Sequence, residues 1–238
     1  MKTGLVFQVF FYLCNVRNID FYRLKTMEPR DKIIAEASKL LFHYGFKSFT
    51  MDYLAKRMGI SKRTLYEIFP NKEQLIAVSI QSFFDMHTAA VKKTIKEATS
   101  PIEAIIKFII TGLEHYSYLP YGFFKDLKRF YSDIYRGTVS RETVTYRRDL
   151  ELLILSGMDQ GLFTRRVSAR KILALYGRSL FSIYQNEARS QAMQRLFLEM
   201  GIEHTFIYLR GICTIKGLQE CDKLLEETKE KYIRTSNI

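Results

Sequence analysis

Within the stretch GISKRTLYEIFPNKEQLI, residues 59–76, four side chains capable of polar recognition stand almost together: Lys62, Arg63, Thr64 and Tyr66. The guanidinium of Arg63 is a rigid fork of N–H donors, matched to paired acceptors such as O6 and N7 of guanine, where it contributes about 1–3 kcal/mol of discrimination. Thr64 can meet a thymine methyl or a phosphate. Lys62 and Tyr66, with Thr50 before them and Lys72 after, suit phosphate oxygens, which position a protein without reading sequence. Lys72 also falls at a helix start, where backbone N–H groups already favour an anion. Between His43 and Lys72 six basic residues oppose two acidic ones, a local excess of +4.

Such side chains act only if a scaffold holds them out. Ser61 is an expected N-cap, Gly59 a stop before it and Pro70 a stop after it, leaving a helix of about two turns, Lys62 to Phe69. Leu65, Ile68 and Phe69 share its buried side, so Lys62, Arg63 and Tyr66 are left outside. Upstream, Thr50 can cap a helix whose Leu54, Ala55 and Met58 face inward, closed at Gly59 with Ile60 as the accompanying hydrophobic contact. Glu28-Pro29 opens a first helix, with Ile33, Ile34, Ala37, Leu40, Leu41 and Tyr44 on one face, Gly45 as its stop, and Phe46 and Phe49 pinning the following loop. Asn71 with Gln74 starts the next helix in the manner of a capping box. Residues 51–70 thus have the shape of a helix-turn-helix, with Ala55 small where the helices cross and Gly59 at the sharp turn.

Taken in order, Thr50-Met-Asp-Tyr-Leu-Ala, Met58-Gly-Ile-Ser-Lys-Arg-Thr-Leu-Tyr and Phe69-Pro-Asn-Lys-Glu-Gln-Leu resemble the DNA-binding signature of the TetR family of bacterial transcription regulators. The likeness covers about residues 30–76. It implies a homodimer, a divergent helical ligand-binding and dimerisation domain, and repression of a palindromic operator relieved by a small molecule. It also implies phosphate contacts for Thr50, Tyr66 and Lys72, and base-reading or adjacent positions for Lys62, Arg63 and Thr64. The family often has a small residue where Arg63 stands, so the reading of Arg63 as a base contact comes from its own chemistry.

The remaining chain is expected to be helical over 72–98, 101–118, 121–135, 141–160, 168–188 and 190–232, the last broken near Gly201 and Gly217. Ser100-Pro101, Leu119-Pro120, Gly137 with Ser140, and Gly161-Leu162-Phe163 mark the joints. The fold class read from this pattern is all-α: a three-helix DNA-binding module over 28–75, then a larger effector-binding and dimerisation domain over 76–238. Residues 1–27 are expected to be an extension ahead of a true start at Met27; a membrane tether, a cleaved signal or an extra packed segment are the alternatives.

The composition is that of a globular protein, 47% hydrophobic and 26% charged, with a formal charge of +12 that favours an anionic partner. Three cysteines without a CxxC spacing fit a reducing compartment, so a cytoplasmic location is expected. Four scattered histidines, His43, His87, His115 and His204, have no metal-ligand spacing and are expected at the surface or hydrogen-bonded. No nucleophile–base order or phosphate-binding loop is present in the sequence, so neither an enzyme nor a cofactor is expected.

Aromatic residues crowd the stretch from Phe83 to Tyr135, as core or as the lining of an apolar effector pocket; Phe84, His87, Phe108, Tyr116 and Phe124 are its candidates. Leu173, Tyr176, Leu180, Phe206 and Leu209 are the candidate dimer contacts on the last long helices. Cys213 is expected to be buried near that seam. Two other readings compete: a peripheral membrane protein docking through its apolar N-terminus and basic surface, and a ligand-binding helical dimer that no longer reads DNA.

Overall fold

The computed structural model describes residues 28–117, 119–120, 122–184 and 191–232. The N-terminal extension, Cys14 and the last six residues lie outside them. Among the described residues there is no β-strand, and no helix is long and apolar enough to cross a membrane. The longer helices, in chain order, are α1 (Pro29–Ser48), α2 (Met51–Met58), α3 (Lys62–Ile68), α4 (Lys72–Lys96), α5 (Pro101–Ser117), α6 (Phe123–Phe130), α7 (Arg141–Asp159), α8 (Ala169–Tyr184), α9 (Gln191–Ile212) and α10 (Ile215–Tyr232). Between α6 and α7 a single turn, Ser132–Ile134, passes into a π-helix, Tyr135–Ser140. The joint expected at Gly137 and Ser140 is therefore absent: the chain stays helical there by widening its turn. The break near Gly201 is absent too, because α9 runs through it. A Cβ at Gly201 would stand 2.6 Å from a methyl of Leu113, so this glycine serves close packing of α9 on α5.

Two compact units divide the chain. The first holds the described residues up to Thr88 together with Gly122–Glu142; the second holds 89–121 and 143 onward.

In the first unit, α1 presents Ile33, Ile34, Ala37, Leu40 and Leu41 to the interior, with Leu54, Ala55, Leu65, Phe69, Leu75 and Ile76 opposite. Full burial of one such leucine or phenylalanine contributes about 1.5–3 kcal/mol. Tyr44, expected on the buried face of α1, is instead exposed. It lies in the last turn before Gly45, whose φ of 75° ends the regular helix. Phe46 and Phe49 are buried as the loop anchors expected of them. An aromatic knot completes this core: Phe42 lies 5.0 Å from Phe83 and 5.6 Å from Phe123, ring centre to ring centre, and Phe46 lies 4.7 Å from Phe123.

In the second unit, α9 packs against α5, α8 and α10 around Ile106, Leu113, Phe163, Ile202 and Phe206. The Gly161 turn is held to the α9–α10 link: Thr164 N–H donates to the Ile212 carbonyl at 2.8 Å, and Thr214 N–H to the Leu162 carbonyl at 2.9 Å. Cys213 and the fully buried Cys221 belong to the same region and share a thiol hydrogen bond. The partner thiol and burial push the Cys213 thiol up. Between α8 and α9 a polar chain is closed internally. Thr205 donates to the Gly201 carbonyl at 2.7 Å, which leaves its oxygen to accept the Tyr176 hydroxyl at 2.9 Å.

Candidate nucleic-acid interface

The helix-turn-helix is built from local chemistry at each end. Thr50 Oγ1 accepts from Tyr53 N–H at 3.1 Å and starts α2. Gly59 ends it in the left-handed region, φ 67°, where a side chain would be strained. Gly59 N–H then bonds the Lys56 carbonyl at 3.2 Å and Ile60 N–H the Ala55 carbonyl at 3.1 Å, the paired closure that turns the chain sharply. Two residues later Ser61 Oγ accepts from Thr64 N–H at 3.0 Å and starts α3. At the other end Asn71 Oδ1 accepts from Gln74 N–H at 2.8 Å and starts α4. Leu65, wholly buried, and Ala55 hold α2 and α3 to the core.

This anchoring leaves Lys62, Arg63 and Tyr66 exposed on α3, as their spacing predicted, and Thr64 with them. The Arg63 side chain is 88% exposed and pairs with Glu67 one turn on, Nε to Oε1 at 2.9 Å. Lys62 pairs with Asp52 at 2.5 Å. Surface pairs of this kind contribute about 0–1 kcal/mol, so either cation can exchange its carboxylate for a phosphate or a base edge at little cost. Thr64 is the least free of the four, since its hydroxyl lies 2.9 Å from Ser61 Oγ. Arg57, on α2, is tied to Glu36.

Lys72 sits differently from the solvent-facing phosphate contact its position suggested. Its ammonium donates to the Phe49 carbonyl at 2.5 Å and the Phe46 carbonyl at 3.2 Å, and lies 5.4 Å from the centre of the Phe49 ring. Burial lowers its pKa, because the charged form loses water. An ammonium has three donors, so one N–H remains beyond these two bonds. Lys72 thus locks the α1–α2 loop to the start of α4, a role invisible to sequence because its partners are backbone carbonyls more than twenty positions away. Tyr53 is exposed one turn after Thr50.

The other predicted residues fall elsewhere. Phe84, His87 and Phe124 are in the first unit, Phe108 and Tyr116 in the second; Phe84, His87 and Phe108 are buried, Tyr116 and Phe124 half-buried. His87 and His115 are core residues, so the surface is excluded as their place. Burial lowers the His115 pKa to about 4. Of the five dimer candidates, Tyr176, Phe206 and Leu209 are buried in the second unit's own core, and Leu173 and Leu180 pack half-buried against it. Among the described side chains of α8 and α9, the large apolar ones left exposed are Leu175, Leu196, Met200 and Ile207.

Residues 33–78 match the family model of bacterial regulatory proteins, tetR family. An uncharacterized HTH-type transcriptional regulator of Bacillus subtilis, YvaF, is 31% identical over 104 residues, 43% of this chain and 54% of that protein. The chain thus spans about half the length of that relative. An HTH-type transcriptional regulator of Staphylococcus aureus strain USA300 is 24% identical over 183 residues, 69% of this chain and 97% of its own. Among solved structures, a TetR-family transcriptional regulator from Marinobacter aquaeolei has a TM-score of 0.65 at 17% identity, covering 84% of this chain and 98% of that one. The fatty acid degradation regulator FadR from Bacillus halodurans has a TM-score of 0.60 at 17% identity, covering 78% and 97%.

Proposed function

We propose that this TetR-family transcriptional regulator acts in the bacterial cytoplasm as a homodimeric repressor of a near-palindromic operator. The observation that carries the reading is the α2–Gly59–α3 unit: a two-turn helix, capped at its start and anchored from behind by Leu65, that offers Lys62, Arg63, Thr64 and Tyr66 to solvent. In such a motif the second helix enters the major groove with its N-terminal residues toward the bases. Arg63 is assigned to a guanine, with Thr64 beside it. Lys62, Tyr66, Thr50 and the third N–H of Lys72 are assigned to phosphates.

The dimer seam is assigned to α8 and α9 through Leu175, Leu196, Met200 and Ile207, which stand 59%, 45%, 47% and 70% exposed. The last three recur at i, i+4 and i+11, one stripe of α9. A two-fold dimer buries one such face against its copy. Release by a small apolar ligand is part of the same reading. One fold neighbour is a fatty acid degradation regulator, which is consistent with that class. A ligand would act by binding more tightly to the state in which the two reading helices no longer match the groove spacing.

The test is binding of the purified chain to a duplex carrying an enriched operator and to a scrambled one. A preference for the operator that Arg63→Ala reduces supports the assignment; no preference in the unaltered chain contradicts it.

A further inference from the structure

The first unit contains a second set of exposed cations outside the helix-turn-helix. On α6, Lys125, Lys128 and Arg129 are all exposed and lie at i, i+3 and i+4, so one face of the helix carries three positive charges. Phe123 and Leu127 are buried on the opposite side. Lys128 Nζ lies 5.7 Å from the centre of the Tyr135 ring and the Arg129 guanidinium 5.3 Å from that of Phe130. Each of these two cations is therefore partly ordered by an aromatic surface. Of the acidic neighbours, Asp133 is paired with Arg136 at 2.6 Å, and Asp126 is half-buried.

The position of this face matters as much as its sign. The Tyr131 ring, directly after α6, lies 5.4 Å from that of Phe46, and burial with the neighbouring Glu73 carboxylate raises the Tyr131 pKa. Phe46 and Phe49 are the residues whose carbonyls hold Lys72, and Thr50 follows at once. The C-terminal end of α6 is thus fixed at the corner where α1 gives way to α2 and α4 begins. Lys47, exposed and next to Phe46, belongs to the same corner.

We infer that Lys125, Lys128 and Arg129, with Lys47 beside them, form a second phosphate-contacting surface that holds the backbone of DNA adjoining the half-site read by α3. The inference rests on the DNA-binding reading above. It adds no base contact: these cations tighten binding to all sequences and leave the preference for the operator alone.

The experiment compares the full chain with the Lys128→Gln, Arg129→Gln double variant on an operator duplex and on a scrambled duplex, over 50–200 mM salt. The plot of log affinity against log salt is expected to become shallower by about 0.9 for each phosphate no longer neutralised. Both duplexes should weaken alike, with an unchanged ratio between them. Restoring a cation in the double variant, as Arg129→Lys with Lys128→Gln, should recover part of the slope. An unchanged slope overturns the inference. So does a weakened double variant that the restored cation does not rescue, or one whose melting midpoint has fallen with its affinity, since those mark a structural role. Loss of binding to anionic phosphatidylserine vesicles with an unchanged DNA slope would assign the face to lipid and overturn it also. If the unaltered chain binds DNA without sequence preference, the operator reading fails, while the slope comparison still decides the role of α6.

Discussion

Arg63 and Lys72 carry the same charge at the two ends of one motif, and the structure places them differently. Arg63 stands in solvent beside a replaceable carboxylate, whereas Lys72 is half-withdrawn onto two carbonyls. Arg63→Ala is expected to lower affinity for the operator by removing one bidentate base interaction, about 1–3 kcal/mol, while scrambled duplex is bound nearly as before. Titrations on the two duplexes check this. Lys72→Met keeps the aliphatic stem and removes the ammonium. It is expected to lower the melting midpoint, because the Phe46 and Phe49 carbonyls lose their donor, and to weaken binding to every sequence alike. A variant that melts unchanged and loses only operator preference would contradict that division. Sequence could name both residues, because residue type and place within the motif decide what chemistry is possible. It could not tell them apart, because the Lys72 partners come from a loop that only the fold brings near.

At the scale of the element, glycines were the residues sequence read least evenly. Gly59 was legible because a helix stop needs a left-handed φ, and a capped helix follows immediately. Gly201 looked like a break for the same reason, yet it lies inside α9 at a close approach. The break expected near Gly217 falls before it, at Cys213 and Thr214, and Gly217 itself is in the first turn of α10. A Cβ at Gly217 would collide with the Leu162 carbonyl oxygen. Gly217→Ala is therefore expected to destabilise by about 1–3 kcal/mol as an overpacking change, although alanine alone would favour the helix; denaturant unfolding measures the sign. The buried His115 makes a pH prediction for α5. Its pKa is lowered to about 4 by burial, so the folded state holds the neutral ring while the unfolded chain takes up a proton near the ordinary value of about 6.5. Stability is unaffected above that value. It falls as pH drops from about 6.5 toward 4, by up to about 3 kcal/mol. His115→Leu should remove this part of the slope; an unchanged acid slope in the variant would contradict it.

For the whole molecule, hydrophobic periodicity gave the all-α class and most helix limits, since caps, prolines and apolar stripes are local signals. The dimer seam was harder. Tyr176, Phe206 and Leu209 looked available because periodicity identifies an apolar face without saying which neighbour covers it, and in the fold their own chain does. Among the described side chains of α8 and α9, those left exposed are Leu175, Leu196, Met200 and Ile207. Ile207→Glu, placed on the most exposed of them, is expected to shift sedimentation from dimer to monomer with helicity retained. Operator affinity should fall with it, since two half-sites can no longer be held at once. A variant that stays dimeric would move the seam elsewhere.

Selection from a randomised duplex library measures sequence-specific DNA recognition by α3 without presupposing an operator. The full chain would be mixed with the library at about 150 mM salt and the retained fragments sequenced. The retained fragments are expected to share a near-palindrome whose half-sites lie one helical turn, about 34–36 Å, or a multiple of it apart. Retained fragments with no common motif, bound only in proportion to falling salt, would contradict it.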